Sequence, residues 1–98
     1  MEIIKTAVEH QLSLALEGRL DTTTAPQLEA ELKASLEGVT ELILDFEKLE
    51  YVSSAGLRVL LGAQKTMNKQ GSMKICHVNS DIMEVFEITG FSDILTIE

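Results

Sequence analysis

Between Gln11 and Leu36 the spacing of apolar residues changes from two to four, and that change decides what the chain can fold into. Leu12, Leu14 and Leu16 alternate with Gln11, Ser13 and Ala15, the period of a half-buried strand. Leu28, Leu32 and Leu36, with Ala25 beside them, repeat as an i, i+4 stripe, the mark of a helix lying on a sheet. A strand feeding directly into a helix implies an α/β fold if the alternation continues along the chain.

It does continue. Glu2–Val8 and Gln11–Leu16 read as two strands around Glu9-His10, paired as a hairpin. Gly18-Arg19-Leu20-Asp21 turns into the first helix, with Thr24 as N-cap, Pro26 in the first turn and Gln27 closing a capping box. Gly38 ends that helix. Glu41–Phe46 is short and mostly apolar, the pattern of a strand covered on both faces, and Glu47–Val52 reads as a turn. A second helix is expected from about Ser54 to Lys69, burying Gly56, Val59, Leu60, Ala63 and Met67, with Gly71 as its C′ residue. Met73–Val78 reads as a strand. Asn79 or Ser80 then caps a third helix whose apolar face is Ile82, Met83, Val85, Phe86 and Ile88, Gly90 ends it, and Ile94–Ile97 reads as a last strand.

The order β-β-α-β-α-β-α-β predicts three helices and a mixed, mostly parallel sheet of about five strands, joined by right-handed crossovers. The 98 residues suit one domain spanning 1–98, with no linker and no internal repeat. Aromatic residues are few (Phe46, Phe86, Phe91, Tyr51), so the core must be built from Leu, Ile, Val, Ala and Met.

Sixteen acidic residues against eight basic ones give a net charge of −8. Such a chain repels phosphate backbones and anionic headgroups, which argues against nucleic-acid partners and membrane surfaces. No apolar stretch approaches the ~20 residues that cross a bilayer, and Met1–Thr6 does not resemble a signal peptide. A cytoplasmic location follows as an expectation.

Residue patterns for catalysis are scarce. Cys76 is the only cysteine and lies in the apolar run Met73–Val78, where a buried thiol is the ordinary occupant. His10 and His77 lack zinc-site spacing, and no phosphate- or dinucleotide-binding glycine motif is present. No metal and no cofactor are therefore expected. Ser53-Ser54-Ala55-Gly56 lacks the Gly-x-Ser-x-Gly spacing of a hydrolase elbow. A hydrolase using Ser54 would need a histidine close to it in space.

The same four residues are nevertheless the most distinctive part of the chain. They open a helix, where unpaired N–H groups and half a positive charge accumulate. Ser53 or Ser54 can cap those groups. Gly56 is less easily explained, because glycine in a helix is less favourable than alanine by up to ~1 kcal/mol. Close packing on the sheet, or close approach of a partner, would account for it.

The stretch from Tyr51 to Gly62 resembles the signature of the STAS domain, the family of bacterial anti-sigma-factor antagonists. Gly18-Arg19-Leu20-Asp21 before a Thr-rich helix start, the strand end at Asp45 and the closing Phe86-Glu87-Ile88-Thr89-Gly90-Phe91 fit the same layout. The resemblance covers essentially the whole chain. It implies a non-enzymatic protein that binds an anti-sigma factor, itself a serine protein kinase, and so frees the sigma factor. It also implies that the kinase phosphorylates a serine at the start of this helix, breaking the complex, and that a phosphatase resets it.

The residues that the resemblance places at the docking surface are Asp21, Thr22, Ser53, Ser54, Ala55, Gly56 and Arg58. Phosphorylated members of the family read Asp-Ser-Ser-Gly or Asp-Ser-Thr-Gly here, so Ser53 stands in place of the Asp and Ala55 in place of the second hydroxyl residue. Taking the residue before the glycine as the acceptor leaves Ala55 without a hydroxyl, with Ser54 and then Ser53 as the remaining candidates. That departure carries partner docking further than phospho-control. The alternative it favours is a constitutive, unphosphorylated interaction module within a larger sensory or transport assembly.

Overall fold

The computed structural model describes residues 1–98. β1 (Glu2–Val8) and β2 (Gln11–Leu20) form the expected antiparallel hairpin. They are followed by α1 (Ala25–Ser35), β3 (Glu41–Val52), α2 (Ser54–Gln70), β4 (Ser72–Cys76) and α3 (Ser80–Thr89), with a single 3-10 turn at Phe91–Asp93. The strands lie side by side in chain order, β3 running parallel to β2 and β4 parallel to β3.

The sheet has four strands, not five. Phe91–Asp93 and the bonds from the Ile94 and Leu95 amides back to the Phe91 carbonyl coil the segment expected to be extended. Only Ile97 reaches β4, in one parallel bridge to Ile75. The Ile75 amide donates to the Thr96 carbonyl and the Glu98 amide to the Ile75 carbonyl, each at 2.9 Å.

β3 is longer than its apolar run suggests, because Glu47–Val52 continues the strand rather than turning. Its buried residues there are Phe46, Leu49 and Val52, spaced by three rather than two. Register shifts between Ala15 and Glu17, and between Gly18 and Arg19 on β2, absorb the difference, as bulges do. β2 likewise runs on through Leu20 instead of stopping at Leu16.

One core lies between the sheet and the helices. Leu12, Leu14, Leu16, Leu42, Leu44, Phe46, Met73 and Ile75 point into it and meet Leu28 and Leu32 of α1, Leu57, Leu60 and Met67 of α2, and Ile82 and Phe86 of α3. The Phe46 and Phe86 rings pack tilted, with centroids 6.4 Å apart. The opposite face, with Ser13, Ala15, Ile43, Asp45 and Cys76, is only partly covered. β3 is thus shielded on one face and not on both.

The helix ends differ in detail from expectation. Thr24 makes no side-chain cap; its hydroxyl donates to the Arg19 carbonyl at 2.7 Å. Gln27 closes no capping box, its amide reaching the Met1 carbonyl instead. Asp21 receives the free amides of Thr23 and Thr24 at 3.0 and 3.2 Å. In α3 the Asn79 side chain caps the Ile82 amide at 2.8 Å, and Gly90 takes the left-handed conformation that ends the helix. Ile88, expected on the apolar face of α3, is 77% exposed.

Gly71 follows α2 with extended φ, not the left-handed form of a C′ glycine. Its reason is contact: a Cβ there would sit 1.9 Å from the Thr40 carbonyl oxygen.

Candidate functional site

At the carboxyl ends of β2 and β3, the chain is tied into one platform. Val52 is buried and ends β3. The next amide, that of Ser53, donates to the Leu20 carbonyl at 2.9 Å and fixes the start of α2 against the end of β2. Ser53 is extended, and its Oγ accepts the Gly56 amide at 3.4 Å while its carbonyl accepts the Leu57 amide. Ser53 is therefore the cap.

The other members of the turn divide between core and solvent. Ala55 is half-buried and packs on the core. Gly56 is buried against Leu20, where a Cβ would lie 2.7 Å from Cγ and 3.1 Å from the carbonyl oxygen. Close packing on the sheet thus accounts for this glycine. Gly56→Ala should destabilise by about 1–3 kcal/mol through overpacking, lessened by up to ~1 kcal/mol of helix propensity; urea denaturation measures it. Ser54 and Arg58 are exposed. The Ser54 hydroxyl bonds no protein group, and Arg58 has no ion-pair partner.

The loop after β2 borders this turn, since Asp21 follows the residue whose carbonyl holds Ser53. Asp21 Oδ1 accepts from the Thr23 hydroxyl at 2.8 Å and from the Thr23 and Thr24 amides. The Thr23 hydroxyl, ahead of those amides, holds the Asp21 carboxyl below its ordinary pKa against an opposing desolvation effect. This is an Asx-type turn. A carboxylate with a depressed folded pKa stabilises the fold above its unfolded pKa, and the contribution is lost as pH falls through the folded value. Thr23→Val should move the Asp21 pKa back up, read from its side-chain carbonyl shift in an NMR titration. An unmoved value would remove Thr23 as the cause.

Two residues not singled out from sequence complete the platform. Arg19 and Tyr51 are register partners on β2 and β3. The guanidinium stacks 4.3 Å from the ring centroid, and its Nε lies 3.7 Å from Asp21 Oδ2. Both side chains remain largely open to solvent. The available signal was position: Arg19 precedes Leu20-Asp21, and Tyr51 stands just before Val52-Ser53.

A serine–histidine pair is absent from this end. His77 bonds to Asp45 midway along β3, whereas Ser54 opens α2 beyond the far end of that strand, well outside hydrogen-bond reach. No helix is long and apolar enough to cross a membrane.

The STAS domain family model matches residues 2–98. The chain belongs to the STAS domain family. This STAS domain is 37% identical over 99 residues to BtrV of Bordetella bronchiseptica, assigned as an anti-sigma factor antagonist, covering 99% of this chain and 85% of the relative. It is 31% identical over 90 residues to the anti-sigma-B factor antagonist of Bacillus subtilis, covering 91% and 83%. The corresponding Listeria monocytogenes antagonist is 33% identical over 101 residues, covering 100% and 87%. Among solved structures, an anti-sigma factor antagonist from Mycobacterium paratuberculosis superposes with a TM-score of 0.88 at 18% identity, over 98% of this chain and 83% of that one. Unphosphorylated SpoIIAA, an anti-sigma factor antagonist, gives 0.78 at 21% identity over 99% and 87%. These likenesses show the fold.

Proposed function

We propose that the protein is a bacterial anti-sigma factor antagonist: it binds an anti-sigma factor of the serine-kinase type and so frees the sigma factor. The observation that carries this reading is the match, along nearly the whole chain, to antagonists at 31–37% identity. On this reading the protein is a cytoplasmic regulator and not an enzyme. Its docking surface is the platform of Asp21, Thr22, Ser53, Ser54, Ala55 and Arg58, extended by Arg19 and Tyr51. Gly56 acts beneath that surface, letting α2 approach Leu20.

The geometry supports taking Ser54 ahead of Ser53 as the phosphorylation candidate. Ala55 is half-buried and has no hydroxyl; Ser54 is the exposed, unbonded hydroxyl, whereas Ser53 is engaged as the cap. Ser54 is therefore the proposed site. A phosphate there would lie at the positive end of α2 and add nearly two negative charges to a chain already at −8. The fold would tolerate it while an acidic or desolvated partner surface would not. A phosphatase would restore binding.

The test adds the protein to a preformed complex of sigma factor and kinase-type anti-sigma factor, and follows sigma release by size exclusion. Release at stoichiometric amounts supports the reading, and an intact complex at large excess rejects it. Incubation with the kinase and ATP, followed by mass spectrometry, separates the switch from a constitutive module. Phosphate on Ser54 supports the switch; an unmodified chain that still binds supports the module.

A further inference from the structure

The partly covered face of the sheet carries a second polar cluster, away from the docking platform. Asp45 on β3 and Cys76 on β4 are register partners on that face. His77 follows Cys76 at φ 59 as the strand ends, and its Nδ1 lies 2.9 Å from Asp45 Oδ1. Glu47 is two residues further along β3, and its amide donates to the same Asp45 oxygen at 3.0 Å. One donor atom from each of Asp45, Glu47 and His77 lies within 4.8 Å of the others.

We propose that Asp45, Glu47 and His77 form a binding site for a divalent transition-metal ion of the zinc type. Zinc takes imidazole nitrogen and carboxylate oxygen at about 2.0–2.2 Å. Two such ligands at the tetrahedral angle stand about 3.4 Å apart, so Asp45 and His77, now 2.9 Å apart, need to open by only about half an ångström. The ion would take the place of the proton these two groups share. Glu47 is exposed and needs only a side-chain rotation to close the third position. Imidazole in the donor set favours zinc-like ions over magnesium or calcium, which prefer all-oxygen sites.

Charge agrees with the geometry. Two carboxylates neutralise a dication, and the surrounding chain is acidic. Cys76 is not among the groups whose ligand atoms converge here. The solvent side is open, so a fourth position is left for water. Asp45 and Glu47 lie on β3, but His77 follows β4, 32 residues beyond Asp45 in sequence, which is why no spacing motif announces the set.

The experiment titrates ZnCl2 into chelator-stripped full chain by calorimetry, in a buffer that does not bind metal. One equivalent should bind. His77→Ala and Glu47→Gln should each weaken binding at least tenfold, with melting temperatures close to the parent because both side chains are exposed. His10→Ala should leave binding unchanged. Amide shifts in 15N NMR should change around residues 45–47 and 76–78. Absence of binding, or parent-like affinity in His77→Ala, overturns the proposal, as does a response centred on His10 or Met1.

Discussion

Gly71→Ala should be among the most destabilising single-methyl changes available in this chain. The added Cβ would meet the Thr40 carbonyl oxygen at 1.9 Å and its carbonyl carbon at 2.6 Å. Neither is a flexible side-chain tip. Thr40 is held from both sides, its amide donating to the His10 carbonyl and its carbonyl accepting the Ser72 amide, each at 2.9 Å. Relief therefore requires moving the entry to β3, the entry to β4 or the end of α2, and all three carry core residues. Overpacking of this kind lies at or beyond the upper end of the usual range, about 3 kcal/mol or more. In a domain of this size that lowers the melting temperature by more than about 12 °C. Gly62, in the middle of α2, is the internal control, because a Cβ there meets nothing within 4 Å. Gly62→Ala should stabilise by up to about 1 kcal/mol. Thermal and urea denaturation of the two variants check both signs, and a Gly71→Ala protein as stable as the parent would contradict the contact.

Ser54→Glu should separate binding from folding. The position is exposed and lies in the first turn of α2, where a carboxylate gains about 0.3–1 kcal/mol from the helix dipole. The melting temperature should hold or rise slightly. The same charge sits in the middle of the proposed docking platform, where an uncompensated negative group meets the partner at close range. Affinity for the kinase-type anti-sigma factor should fall at least tenfold, or about 1.4 kcal/mol. Ser54→Ala should keep the affinity and abolish phosphate incorporation. Calorimetry with the partner reads both, and unaltered binding by Ser54→Glu would place the docking surface elsewhere. Gly56→Arg is a poor probe of the same surface, since the clash with Leu20 would report on folding first.

Where the apolar period was regular, the sequence was enough to read the fold. Leu12, Leu14 and Leu16 defined β2, and Leu28, Leu32 and Leu36 defined α1, because each lines one face at a fixed interval. The period failed where the backbone bulges. Phe46, Leu49 and Val52 all point into the core at a spacing of three, which matches no regular strand, and so half of β3 looked like a turn. The last strand failed for another reason: Ile94 and Ile97 are apolar enough for extended chain, but the helical turn at Phe91–Asp93 uses up the length needed to pair.

The site was legible in part. The serine turn and Asp21 were visible as local motifs, and the tie between them through Leu20 was not, since a backbone hydrogen bond leaves no mark on residue identity. The exposure of Ser54 against the half-burial of Ala55 depends on the phase of α2 around its axis, and that is fixed only once Gly56 and Leu57 are seated.

Leu20 has a consequence for genetic screens. It is fully buried, yet it covers Gly56, holds the Ser53 amide and leads directly into Asp21. Random mutagenesis selected for lost partner binding should therefore return Leu20 and Gly56 beside the surface positions, although neither presents a side chain to a partner. Sorting the hits by melting temperature should split them into two groups, and the group of normal stability is the one that outlines the contact.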